Sequence, residues 1–250
     1  WGAPPHVCVP PGSAAVTYRL IGATDGAILT GDLYPALTVG ENIPGAPNQL
    51  IARKLRVTDT WGTGLSAATS IYTQANPPLA ASVVPSAVST GSALISWGQN
   101  GNPSYTRYLL SYAQNATFTV GLTTQTTMNS NFTGSVLPLS GLAAGTTYFA
   151  RVQAFSGRFG DVYGDTETVF VSTSFTTLPA APGLSGAPID NVSITWSWSS
   201  VPGAQYYNLY NEAGALMYTG AALSAIQAGL TTNTQYIARV EAVSNNGTGA

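Results

Sequence analysis

Charge is the first thing this sequence lacks. Eight basic and ten acidic residues among 250 leave a formal net charge of −2. There is no basic patch from which phosphates could displace counterions and no charged tail, so the composition excludes nucleic acid as a partner. Cysteine is nearly absent: Cys8 stands alone, so no intrachain disulfide can form and cysteine usage does not identify the compartment. His6 is the only histidine, which removes most Ser-His-Asp and Cys-His constellations at the level of inventory. No apolar run approaches the ~20 residues of a membrane span. The opening Trp1-Gly-Ala-Pro-Pro has neither a basic start nor an apolar core, so any export signal is expected outside this stretch.

What the chain does have is an apolar fraction of 44%, aromatics at 10%, and a polar surface supplied by Ser, Thr, Asn, Gln and Gly. That composition argues against disorder and for an all-β exported protein. A surface with so little charge resists self-association poorly.

One stretch is written three times. The copies are Gln49-Leu50 to Val57 followed by Gly62-Thr-Gly64, Leu142 to Phe155 with Tyr148 inside it, and Leu230 to Val243 with Tyr236, followed by Gly247-Thr-Gly249. Each joins a turn to alternating apolar and polar residues, the pattern of a strand with one buried face. In two copies Tyr follows Leu by six positions; in the first copy Leu50 is expected to occupy the Tyr place. Repetition of a whole unit predicts an array of small domains of roughly 90 residues.

The middle unit, 79–179, predicts seven strands: Pro85–Ser89, Ala93–Trp97, Tyr105–Tyr112, Phe118–Val120, Ser135–Leu137, the Tyr148 strand and Thr168–Thr177. The third, 180–250, repeats the order through Val192–Trp198, Tyr206–Tyr210 and Leu216–Tyr218, and is expected to lack its closing strand. The first, 1–78, is expected to lack its opening strands, with Trp1 aligned to Trp97 and Trp196. Ala75-Asn-Pro77-Pro78 and Leu178-Pro179-Ala-Ala-Pro182 read as semi-rigid linkers, since proline stiffens a junction and cannot join a ladder. The Gly62-Thr-Gly64 and Gly247-Thr-Gly249 glycines read as turns.

A Trp ending the second strand, a Tyr-rich third strand, Leu-x5-Tyr before Tyr-x-Ala-Arg-Val-x-Ala and a proline linker together resemble tandem fibronectin type III domains, as in bacterial extracellular surface repeat proteins. The resemblance implies seven-stranded immunoglobulin-like β-sandwiches, the first and last incomplete. It implies a structural core of Trp1, Trp97, Trp196, Leu142, Tyr148, Leu230 and Tyr236, with Tyr148 and Tyr236 as tyrosine corners whose hydroxyls bond to upstream backbone. Trp196 and Trp198 fit the same face by period two, and the sequence does not choose between them.

Chemistry-bearing clusters are few. His6 and Cys8 have no third ligand or orienting acid nearby. Asp161, Asp165 and Glu167 share one loop without calcium-loop spacing. Arg158-Phe-Gly-Asp161 interrupts an adhesion motif with Phe159. Asn115, Asn131, Asn191 and Asn246 are candidate glycosylation acceptors by Asn-x-Ser/Thr. No catalytic residue, cofactor or metal is expected. The expected function is a non-catalytic structural or adhesive segment of an extracellular surface protein, such as a filament subunit. Its expected partners are other copies or neighbouring repeats, through strand exchange at the incomplete ends, and surface glycans or proteins. The alternative is a spacer or accessory region of a secreted polysaccharide-degrading enzyme.

Overall fold

The computed structural model describes residues 17–22, 46–59, 62–126, 135–157 and 166–249. Trp1, His6, Cys8, Asn131, Arg158, Phe159, Asp161 and Asp165 lie outside them. By contacts the chain divides into two compact units. One comprises 1–76 with 101–107 and 155–168; the other holds 77–100, 108–154 and 169–250.

In the first unit β1 (Thr17–Gly22) pairs antiparallel with β2 (Leu50–Asp59). The other edge of β2 is shared by β3 (Gly62–Leu65) and β4 (Thr69–Tyr72). Gly62 and Gly64 therefore lie in a hairpin strand and not in a bare turn. At the joint between β3 and β4, Ser66 keeps the ladder going: its N–H donates to the Leu55 carbonyl and its hydroxyl accepts from the Leu55 N–H, both at 2.8 Å. Leu50 does not take the Tyr place. It is 44% exposed, whereas Ile51 is 8% exposed and faces inward. A one-residue offset in a strand turns every side chain over, and hydrogen bonds set that offset, as shown below.

The second unit holds two sandwiches. In the first of them β5 (Val84–Ser86), β6 (Ser92–Ser96) and β9 (Val136–Ser140) form one sheet in the order β5-β6-β9. β7 (Arg107–Ala113), β8 (Thr123–Thr126), β10 (Thr147–Phe155) and β11 (Val171–Thr176) form the other, ordered β11-β10-β7-β8. β7 and β10 alternate into a core where Tyr108, Leu110, Ala150 and Val152 are fully buried. Trp97, just past β6, crosses to the opposite sheet and meets the Tyr108 ring at 5.5 Å. Phe118–Val120 is not a strand. The Asn115 side chain accepts from the N–H groups of Thr119 and Val120 and donates to Thr117 and Thr119. The chain is turned there by one side chain that competes with a ladder.

The last sandwich repeats this plan. β12 (Leu184–Pro188), β13 (Ile194–Trp198) and β16 (Ser224–Gln227) form the order β12-β13-β16. β14 (Tyr206–Asn211), β15 (Leu216–Gly220), β17 (Ala238–Ser244) and β18 (Gly247–Thr248) form β15-β14-β17-β18. Trp198, not Trp196, is the counterpart of Trp97: its ring meets Tyr207 at 6.0 Å and Tyr218 at 5.7 Å. Trp196 lies over Gly186, its cross-strand partner, where a Cβ would overlap the indole, and its Nε1–H donates to Gln227 Oε1 at 2.8 Å. The glycine makes room for the ring, and together they bury the sheet face that a larger pair would overfill.

Candidate functional site

The repeated stretch folds into the same corner three times. Its apex is a residue in the left-handed region: Asn48 (φ 50), Gly145 (φ 59) and Asn233 (φ 55). Only Gly, Asn and Asp visit that region at low cost, because Asn can bond locally and Gly has no Cβ to clash. In two corners a Tyr hydroxyl accepts an upstream N–H, Ala143 to Tyr148 at 2.8 Å and Thr231 to Tyr236 at 2.7 Å. Thr146 and Thr234 donate to the carbonyls of Ala144 and Thr232. The middle and last corners are thus the same object, offset by 88 positions.

A threonine one residue past the closing strand locks two of the three corners. Thr177 N–H donates to the Thr146 carbonyl at 3.0 Å. Its hydroxyl accepts from Thr146 N–H at 2.9 Å and donates to the Ala143 carbonyl at 2.7 Å. Thr73 makes the matching bonds in the first unit, to the Gln49 carbonyl (2.9 Å), from Gln49 N–H (2.8 Å) and to the Ala46 carbonyl (2.6 Å). The next residue closes the lock: Asn48 N–H donates to the Gln74 carbonyl, and Gly145 N–H to that of Leu178. This clamp equates Gln49 with Thr146, and therefore Ile51 with Tyr148, which is why Leu50 points outward. The clamp is not evident from alternation, although its signal is present: a Thr directly follows each of these two closing strands, shortly before the prolines.

The third corner has no such lock among the described residues. β18 pairs with β17 only at Val243 and Ser244, and Gly249 N–H adds a bond to the Ala242 carbonyl at 2.8 Å. Because Ala242 faces that side, the alternation of an antiparallel strand turns the N–H and C=O of Val240 and Ala238 the same way, and no described strand meets them. Gln235, Tyr236 and Ile237, which correspond to the start of β10, fall outside β17. Tyr148 is buried under Phe175, whose ring stacks on it at 5.8 Å and 23°. Tyr236 and Leu230 are half-buried, whereas Leu142, Trp97 and Trp196 are buried. A cleft of about 420 Å³ opens at the corner, lined by Asp190, Leu230, Thr231, Asn233, Thr234 and Tyr236.

The proline linkers are bonded in place and not loose. Leu178 N–H donates to the Ser89 carbonyl, and Pro179 is fully buried. A Cβ on Gly145 would overlap the Pro202 carbonyl, and one on Gly249 would overlap that of Pro179. Successive sandwiches in the second unit therefore meet backbone to backbone at glycine. Within the first unit the Asn48 side chain is fully buried; it donates to Thr106 Oγ1 and accepts from Gly157 N–H. Ala75 N–H donates to Ser156 Oγ, and Asn76 and Asn102 exchange two bonds at 2.8 Å.

The arginine of the repeated Ala-Arg-Val lies on aromatic faces. The Arg151 guanidinium sits between Phe118 (4.1 Å) and Phe170 (4.0 Å), and Arg239 lies over Tyr210 at 4.4 Å with Glu241 as its ion pair. These contacts cover the outer sheet face.

Among the described residues no group of three His, Cys, Asp or Glu could hold a metal, and no helix is long and apolar enough to cross a membrane. Glu167 is exposed and bridges Phe155. Of the candidate glycosylation acceptors, Asn191 and Asn246 are exposed. Asn246 Nδ2 donates to the Thr176 carbonyl at 3.4 Å, and Asn115 is occupied in its own turn.

Residues 76–169 match the model of the Fibronectin type III domain. No curated protein matches. Among solved structures, a two-domain fibronectin type III segment of chicken tenascin is 18% identical, with 70% of this chain and 95% of that chain covered and a TM-score of 0.43. The FN1-FN3 domains of chicken CNTN1 are 17% identical over 95% of this chain and 86% of that one, at a TM-score of 0.30. A computationally redesigned β-sandwich protein is 24% identical over 41% and 90%, at 0.31. The chain is an all-β tandem of sandwiches that, over residues 76–169, matches the Fibronectin type III domain.

Proposed function

We propose that this chain is a non-catalytic structural and adhesive segment of an extracellular surface protein, and that it works by holding distance. The observation that carries this reading is the glycine junction. With Gly145 against Pro202 and Gly203, and Gly249 against Pro179, neighbouring sandwiches have no space in which to rock. A tandem joined this way transmits load along its length, which suits a filament or appendage. Its partners are other copies of the chain or neighbouring repeats, and its weakly charged surface favours side-by-side packing.

Immunogold labelling of intact cells tests the reading. Label along extended surface structures supports it. Label confined to the cell interior, or following a secreted polysaccharide hydrolase, contradicts it.

A further inference from the structure

The two sandwiches of the second unit treat the arginine of the repeated Ala-Arg-Val differently. Arg239 lies over Tyr210 and pairs with Glu241, two positions further along β17. At the matching place in the middle sandwich stands Gln153, which is buried, and β10 carries no acidic residue. Among the described residues none forms an ion pair with Arg151, exposed Glu167 included. Its Nε–H is buried without a hydrogen bond. Phe118 and Phe170 lie over its guanidinium at 4.1 and 4.0 Å. A half-buried charge without a counter-charge is costly to keep.

The backbone is strained to build this place. Phe118 has φ 55, a left-handed conformation that a bulky side chain adopts only at a cost. Asn115 holds it there. Its carbonyl accepts the Phe118 N–H at 3.1 Å, and its side chain accepts the N–H groups of Thr119 and Val120. The ring so placed is buried against Arg151. At these separations the two rings cover the guanidinium faces and leave its N–H rim. In its own plane that rim matches the two oxygens of a carboxylate. Ser172, the cross-strand partner of Arg151, is exposed. Phe170 is exposed too, as are Val169 and Val120, which stand next to Phe170 and two residues from Phe118 in the chain.

We propose that Phe118, Arg151 and Phe170 form a docking point for a partner protein, which presents an Asp or Glu side chain followed by an apolar residue. The carboxylate lies along the free rim of Arg151 and supplies the counter-charge that Glu241 gives Arg239. The apolar side chain rests on the exposed part of Phe170 and on Val169, and its burial adds to the charged bond. An acidic sugar fits less well. It would stack on a ring face, and the Phe118 ring is buried while the Phe170 ring already lies on the guanidinium. The inference goes beyond the proposed function by giving its adhesive side a contact, and it rests on neither export nor the glycine junction. Label confined to the cell interior would leave the titration below untouched, and a failed titration would leave the junction as it is.

The test titrates the whole chain with the end-blocked peptide Gly-Glu-Leu-Gly and follows backbone amides and arginine Nε–H resonances by NMR. Saturable shifts are expected at Arg151 Nε–H and at the amides of Phe118, Phe170 and Ser172, with Arg239 Nε–H unmoved. The peptide Gly-Gln-Leu-Gly is expected to bind at least about tenfold more weakly, the worth of one charged hydrogen-bonding group. Gln153→Glu copies Glu241 beside Arg239 and is expected to weaken the Glu peptide by a similar factor, with the circular dichroism unchanged. Should that variant unfold, the Glu-to-Gln exchange in the peptide, made on the unaltered chain, decides the question. Four results overturn the proposal: no saturable shift at millimolar peptide, equal binding of the Gln peptide, equal shifts at Arg239, or tighter binding of a uronic-acid oligosaccharide than of the Glu peptide.

Discussion

The middle and last sandwiches begin from the same corner and differ on its far side. Around Tyr148 a closing strand adds a stacked Phe175, a ladder from Thr147 to Val152 and the Thr177 clamp. Around Tyr236 the upstream half is unchanged, down to the hydroxyl bond from Thr231. Yet Gln235 to Ile237 leave the ladder, and Ile237 is 52% exposed. The difference separates two things a corner needs. Local sequence builds the turn and the tyrosine bond; burial of the ring requires a strand from further away.

Four pairs of substitutions sharpen this contrast. The largest effect is expected from replacing the corner rings. Tyr148→Ala removes a buried ring that stacks on Phe175 and meets Tyr112 edge-on and should cost about 3–5 kcal/mol. Tyr236→Ala should cost clearly less, since its ring is already half in water. Urea unfolding resolves the two if the transitions are followed by Trp97 in the middle sandwich and by Trp196 and Trp198 in the last. Thr177→Val comes next. It leaves Ala143 and Thr146 without a side-chain partner and should cost the middle sandwich about 1–3 kcal/mol, while Thr232→Val, on the corner without a clamp, should cost well under 1 kcal/mol.

Gly145→Ala strikes the junction and, through its φ of 59, the corner apex, but not a core. Its Cβ overlaps the Pro202 carbonyl, so the two sandwiches should part. Small-angle scattering should then show a broader distance distribution while each sandwich keeps its circular dichroism. Gly214→Ala, in a turn where nothing lies near the added Cβ, should leave the scattering unchanged. The smallest effect separates the repeated arginines. Arg151→Met should lose about 1–2 kcal/mol from a guanidinium held between two rings. Arg239→Met, over a single ring and exposed, should lose about 0.5–1 kcal/mol, as read by thermal unfolding.

Much of the fold was legible because alternation and repetition are dense in β10 and β17. The tyrosine corners were implied by the family resemblance that the Leu-x5-Tyr spacing helps to carry, and the Ala143 and Thr231 amides donate to their hydroxyls. What stayed hidden was decided by hydrogen bonds that pattern does not encode. Leu50 aligned with Tyr148 by the shared Ala-Arg, but the Thr73 clamp sets the register one residue over and turns Ile51 inward. Phe118 looked like part of a strand until the Asn115 side chain took the amides of Thr119 and Val120. Trp196 and Trp198 could not be ranked because period two places both inward; the choice rests on Tyr207 across the sandwich and on Gly186 beside it.

The most direct measurement is amide hydrogen exchange, residue by residue, on the intact chain. Ala150 and Val152 face β11, and Ala238 and Val240 are their counterparts on β17. The account predicts that Ala150 and Val152 exchange only on global opening of the middle sandwich. It predicts that Ala238 and Val240 exchange far faster than their β17 neighbours Arg239 and Glu241, which face β14. Equal protection on both sides of β17 would contradict the claim that, among the described strands, only β14 pairs with Ala238 to Val240.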